Sequence, residues 1–175
     1  MTKEQLLGNL VFQVANSYVG QKEVGNNAGW VDKKFEAKMV AMGWQIGWSW
    51  CAIFYKLCLK EALEQYYSMP HDNSIVKDIL KVYTPSVLRT VANRKEDLSL
   101  TDFTVGSAVC WQTGNSTGHV GILMTAPNND GIFWTIEGNT SDHNNSNGDM
   151  VMSRKRSLKS TDKFKLLGFI KPRVI

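Results

Sequence analysis

The chain has 175 residues, 43% apolar and 21% charged, with a formal net charge of +4 at pH 7. That is the size and composition of one globular domain with enough apolar material for a core, and three cysteines are too few for a disulfide scaffold. The mild basic excess suits a polyanionic partner, but the only dense basic run, Arg154-Lys155-Arg156, reads as a solvated strand face, so no nucleic-acid partner is expected.

Leu6, Leu7, Leu10, Val11, Val14, Tyr18 and Val19 recur at helical spacing and predict an amphipathic helix ending near Gly20. The segment Glu23-Val24-Gly25-Asn26-Asn27-Ala28-Gly29-Trp30 is rich in loop formers. A second helix is predicted over Val31–Ala41, with Phe35 and Met39 turned inward. Gly43 and Gly47 then bracket an aromatic loop that leads to Trp50 and Cys51. From Cys51 to Tyr67 the spacing is helical again, with Phe54, Cys58 and Leu59 toward the core. Short helices are expected at Ile75–Val82 and Ser86–Ala92. Beyond Asp97 the period changes, and Val105–Trp111, Gly118–Thr125, Ile132–Glu137, Met150–Arg156 and Leu166–Lys171 read as strands separated by turns such as Pro127-Asn128-Asn129-Asp130-Gly131. Helices first and strands second predict a single α+β domain over residues 1–175, with N-terminal helices packed on a small antiparallel β-sheet. The opening residues lead into an amphipathic segment without a secretory h-region or membrane span, so a cytoplasmic location in the producing cell is the expectation.

Cys51 stands where an aromatic, glycine-flanked turn meets the start of an apolar helix. Unpaired N–H groups at a helix start favour an anion and can make a thiol there more acidic. Cys51 and Cys58 fall two helical turns apart on one face, too far to bridge. A nucleophilic thiol needs a base and a group that orients the base. Gly118-His119-Val120-Gly121 supplies an imidazole, which could meet Cys51 where the first helix packs on the sheet. The hairpin joined by the 127–131 turn sets His119 opposite the Glu137–Asn139 segment. Glu137 lies inside the apolar run Phe133-Trp134-Thr135-Ile136, where a carboxylate is costly unless paired. Each piece alone has a plainer reading: a buried thiol, a turn histidine, a strand end. A zinc site from Cys110, His119 and His143 or His71 is the chemical rival, but no CxxC or HExxH spacing supports it, so neither metal nor cofactor is expected. Trp30, Trp44, Trp48 and Trp50 could line a groove around the thiol or fill the core.

The blocks Val19-Gly20, Glu23-Val24-Gly25-Asn26-Asn27, Trp50-Cys51-Ala52, Gly106, Gly118-His119-Val120-Gly121-Ile122, Thr135-Ile136-Glu137-Gly138-Asn139-Thr140 and Gly168-Phe169-Ile170-Lys171-Pro172 together resemble the CHAP family of cysteine, histidine-dependent amidohydrolases and peptidases, particularly its short phage and prophage members. The middle of the chain has no counterpart in the resemblance. It implies a papain-like fold and cleavage of an amide bond in peptidoglycan. Cys51 would be the nucleophile, His119 the general base and then acid, Glu137 the orienting carboxylate and Asn139 an auxiliary polar group. Trp50, Trp44 and Gly118 are the expected substrate-binding residues. Ser107 stands where the family often has Asp, and the stretch Gly43–Trp48 lacks the carboxylates of the calcium loop some relatives carry, so no calcium is expected there. The resemblance further implies a monomeric lysin acting on the wall, released with a holin partner. Its alternatives are an antibacterial effector exported by a secretion system and an inactive wall-binding or virion structural protein.

Overall fold

A computed structural model of the chain describes residues 1–68, 74–141 and 148–175. Among the described residues five α-helices precede one six-stranded antiparallel sheet, a mixed helix-and-strand architecture compatible with the α+β class expected from the sequence. Helix α1 (Lys3–Ser17) opens with a capping box, in which the Thr2 side chain accepts from the Gln5 N–H and the Gln5 side chain accepts from the Thr2 N–H. Helix α2 (Lys33–Ala41) is capped by Asp32, which accepts from the N–H groups of Lys34 and Phe35. Helix α3 (Cys51–Tyr67) is buried along most of its length and closes on Ser68 in the left-handed region. The short helices α4 (Ser74–Leu80) and α5 (Val87–Asn93) fall within two residues of the expected ones.

The sheet contains β1 (Leu98–Ser99), β2 (Ala108–Gln112), β3 (Gly118–Leu123), β4 (Ile132–Thr140), β5 (Met150–Ser157) and β6 (Lys165–Ile170). Their spatial order is β1-β6-β2-β3-β4-β5. Strand β1 was not expected, because two residues after a 3₁₀ turn carry no alternation to read. Alternation along the strands splits the apolar residues between two faces. Ala108, Cys110, Val120, Ile122, Ile136, Val151 and Ile170 join the helices in the main core. Val109, Trp111, Leu123, Phe133 and Phe169 form a second cluster on the other face.

It is α3, the cysteine's own helix, that lies on β3 and β4. Gly138 allows this approach: a Cβ there would stand 2.6 Å from Trp50 Cζ3 and 2.8 Å from Phe54 Cγ. Pairing between β3 and β4 is confined to Ile122↔Ile136 and Leu123↔Thr135, so the two strands are unpaired toward the His119 end. Among the described residues no helix is long and apolar enough to cross a membrane.

Because both rings that face Gly138 are fully buried, Gly138→Ala should cost about 1–3 kcal/mol by overpacking. A thermal or urea melt checks this, and an unchanged midpoint would contradict the close packing of α3 on β4.

Candidate active site

The backbone delivers Cys51 as the first residue of α3. The residue before it, Trp50, makes no side-chain hydrogen bond to the helix start. The first bond of the helix runs from the Phe54 N–H to the Trp50 carbonyl at 2.8 Å, so the preceding N–H groups have no intrahelical acceptor. The backbone N–H groups of Ala52 and Val120 lie near enough to the Cys51 sulfur to favour its ionised form. The Cys51 side chain lies beside the His119 imidazole, and each group favours the charged form of the other.

His119 extends this contact to the other face of the sheet. Its Nε2 lies 2.8 Å from Glu137 Oε2, which leaves Nδ1 as the ring nitrogen for the thiol. The ring stacks on Trp111 with centroids 5.9 Å apart and meets Phe164 edge-on at 5.8 Å. Continued from Ile122↔Ile136, the register sets Gly121 across from Glu137 and His119 across from Asn139. Glu137 therefore reaches His119 diagonally, and Gly121 leaves the room: a Cβ there would stand 2.9 Å from Glu137 Cγ.

Glu137 is fully buried, yet every lone-pair direction it needs is met. The Thr135 hydroxyl donates to Oε1 at 2.6 Å, while Arg156 Nε donates to Oε1 at 2.7 Å and Arg156 Nη2 to Oε2 at 2.5 Å. The guanidinium itself sits 5.3 Å from the Trp111 ring centroid and 4.6 Å from that of Phe164. Burial opposes ionisation of Glu137, but the His119 charge and the Arg156 hydrogen bonds outweigh it and hold the carboxyl well below the usual carboxylate range. Burial likewise works against the imidazolium, but the Glu137 charge and the hydrogen bonds to Cys51 and Glu137 raise the His119 pKa to about 10. Burial pushes the Cys51 thiol up, and the hydrogen bond and charge of His119 more than reverse this, so it ionises below the ordinary thiol value. The result favours a thiolate–imidazolium pair backed by an arginine-clamped carboxylate.

The other two cysteines are inert by contrast. Burial raises Cys110 to about 12 and Cys58 well above the free-thiol value, with no imidazole to offset it. Asn139 takes a left-handed backbone (φ 56°) at the bulge where β4 and β5 change register. Its Oδ1 is buried without a hydrogen-bond partner, and no hydrogen bond joins it to His119.

The expected substrate residues are placed otherwise. Trp50 and Trp44 are buried in an aromatic cluster with Trp30, so neither ring faces a groove. Gly118 is closed over by α5, since a Cβ there would stand 2.9 Å from Val87 Cβ. Trp48 stays 42% exposed and Ile46 76% exposed, which makes them the apolar surface of the loop before Cys51. Sequence reasoning also missed Arg156, Thr135 and Glu23. Glu23 is buried, accepting from Trp50 Nε1 at 2.9 Å and from the Asn27 N–H at 3.1 Å. It thereby pins the residue that precedes the cysteine. A buried acid within an apolar run signals a missing cation, and that was the one hint of Arg156 in the sequence. Among the described residues no group of three or more His, Cys, Asp or Glu side chains could hold a metal ion. His71 and His143, of the zinc alternative, lie outside the described residues.

Compared with known proteins, the chain matches no family model, no curated sequence and no solved structure.

Alkylation by iodoacetamide near pH 6.5 should label Cys51 ahead of Cys58 and Cys110, as peptide mapping would show. His119→Ala should slow that labelling by about tenfold or more, the equivalent of one pKa unit of lost thiolate. Stability should follow the same pair. With the folded His119 pKa above its unfolded value of 6.5, its contribution is complete below pH 6.5 and is lost as pH rises toward about 10. The depressed Glu137 contributes fully above its unfolded value of 4.5 and loses that contribution at lower pH. Melts across this range should show the alkaline decline reduced in His119→Ala.

Proposed function

We propose that this chain is a cysteine amidohydrolase of the CHAP type, with a papain-like arrangement, that cuts amide bonds in the peptides of peptidoglycan. One observation carries the chemical half of this reading: a helix-start thiol beside an imidazole whose Nε2 is held 2.8 Å from a buried carboxylate. The wall peptide as substrate rests on the resemblance of the short sequence blocks around those same residues.

In the reaction the Cys51 thiolate attacks the scissile carbonyl carbon and forms a C–S bond. The carbonyl oxygen becomes an oxyanion facing the free N–H groups at the start of α3, with the Cys51 N–H as its principal donor. The imidazolium of His119 then gives its proton to the amine nitrogen as the C–N bond breaks, leaving a thioester. Water, deprotonated by the now neutral His119, adds to the thioester. The C–S bond breaks, the acid product leaves, and thiolate and imidazolium are restored. Glu137 keeps the ring in the tautomer and orientation that both transfers need, and Arg156 keeps Glu137 ionised. The enzyme would work on the wall from outside its cytoplasmic site of synthesis, reached through a holin as a lysin or through an export system as an effector.

A second reading follows from a specific observation: Cys51 is only 6% and His119 only 9% exposed, which suits a wall-binding protein that keeps the array without turnover. Digestion of purified sacculi, with mass spectrometry of the released fragments, separates the two. Wild-type protein should release peptide fragments, Cys51→Ala should release none while melting like the wild type, and EDTA should leave the rate unchanged. Retained lysis by Cys51→Ala would sink the hydrolase reading.

Arg156→Ala would strand the Glu137 charge in the core. It should cost about 3–5 kcal/mol of stability, and hydrolysis should fall with the loss of His119 orientation. Arg156→Lys should recover part of the stability, since one ammonium replaces a bidentate fork.

A further inference from the structure

Behind His119, on the face of the sheet away from the helices, lies a groove of about 350 Å³ lined by Trp111, Ile132, Lys155, Arg156, Ser157, Lys159, Thr161 and Phe164. Its volume lies within the range, roughly 300–1,000 Å³, of clefts that hold small ligands. None of the lining residues is acidic. Arg156 is committed to Glu137, whereas Lys155 and Lys159 are exposed and neither has a carboxylate partner among the described residues. The floor is aromatic, and Trp111 and Phe164 pack against the His119 ring while they line the groove. Two free ammonium groups over an aromatic floor form a site for an organic anion.

We propose that this groove binds a peptide segment that carries a carboxylate and that Lys155 and Lys159 recognise that carboxylate. The proposal rests on the amide-hydrolase reading above and adds to it an acidic residue in the substrate peptide, held beside the Glu137–Arg156 end of the array. Lys155 and Lys159 touch neither Cys51, His119 nor Glu137 in the contacts of the array, so they act on affinity for the substrate and not on the reacting atoms.

The test uses the full chain carrying Cys51→Ala, so that binding is read without turnover. Calorimetry compares the dipeptide Ala-Glu, which offers a free amine and two carboxylates, with its amidated counterpart Ala-Gln-NH₂. Ala-Glu should bind about tenfold or more tightly than the amide, since charge-assisted hydrogen bonds are the stronger kind. Lys155→Ala combined with Lys159→Ala should erase the difference and leave the melting curve in place, both side chains being exposed. Raising the salt concentration should narrow it in the wild-type groove. Equal binding of the two dipeptides, or a preference that survives the double substitution, would overturn the proposal. So would inorganic phosphate displacing Ala-Glu at concentrations far below its own lysine-independent binding, because the groove would then serve a phosphate-bearing ligand. Sacculus digestion tests the hydrolase reading separately, and either result can fail while the other stands.

Discussion

The burial of the Glu137 carboxylate is the constraint around which the rest of the site is arranged. An ionised carboxylate taken fully out of water costs several kcal/mol unless charge and hydrogen bonds replace the lost solvent. Here Thr135, His119 and both donor positions of Arg156 replace it. Each of those partners brings a further requirement. Arg156 must itself be partly desolvated, and the rings of Trp111 and Phe164 take up its guanidinium faces. Glu137 must lie across β3, and Gly121 is the position that clears its path. Because the carboxylate is held ionised, the imidazole beside it is favoured as the cation, and because the imidazole is a cation, the thiol beyond it is favoured as the anion.

The fold gives up local stability at α3 to keep that thiol approachable by donors. A Ser, Thr or Asp before Cys51 would cap the helix and add about 1 kcal/mol, but its side chain would occupy the N–H groups the sulfur and an oxyanion need. Trp50 stands there instead, and its stability comes from elsewhere. Its ring is buried against Trp30 and Phe54, its indole N–H is taken by Glu23, and Gly138 lets β4 close over it. Glu23 is in turn fixed by the bridges Glu23↔Trp30 and Lys22↔Met150, which tie the 23–30 loop to the beginning of β5. The loop that sequence composition marks only as turn-rich thus supports the residue that sets the position of Cys51.

Local signals made most of the fold readable. The 3.6-residue spacing of α1, the apolar stripe of α3 and the alternation of β2 to β6 all lie within single segments, and each was visible there. Cys51, His119 and Glu137 were readable because a helix start, a hairpin register and a buried acid are also local features. What was not readable depends on side chains that meet from distant segments. By ladder position Arg154 stands opposite Thr135 and Arg156 opposite Phe133, yet Arg156 reaches Glu137 while Arg154 turns to the Ser141 carbonyl. Strand alternation alone would have offered either cation. Trp44 and Trp50 were misplaced for the same reason. Their burial is decided by Trp30, more than ten residues away, and nothing within the 43–50 stretch separates a groove aromatic from a core one.

The two faces of the sheet divide the chemistry between them. The thiol comes from the helical face, where it belongs to the main core, and the carboxylate and arginine come from the opposite face with the second cluster. A continuous ladder would keep those groups apart, because a fully paired β3 and β4 leave no path for a side chain between them. The ladder is instead limited to Ile122↔Ile136 and Leu123↔Thr135, and beyond it Val120 has an N–H to offer the sulfur while His119 meets both Cys51 and Glu137. The rings of Trp50 and Phe54 packed on Gly138 sit at the place where β4 leaves β3. Opening the sheet forgoes backbone hydrogen bonds worth roughly 0.5–1.5 kcal/mol each. The Cys51–His119–Glu137–Arg156 chain that runs through the opening supplies charge-assisted bonds in their place, each stronger than the ones forgone. Strand separation and the charged chain therefore support one another in this sheet.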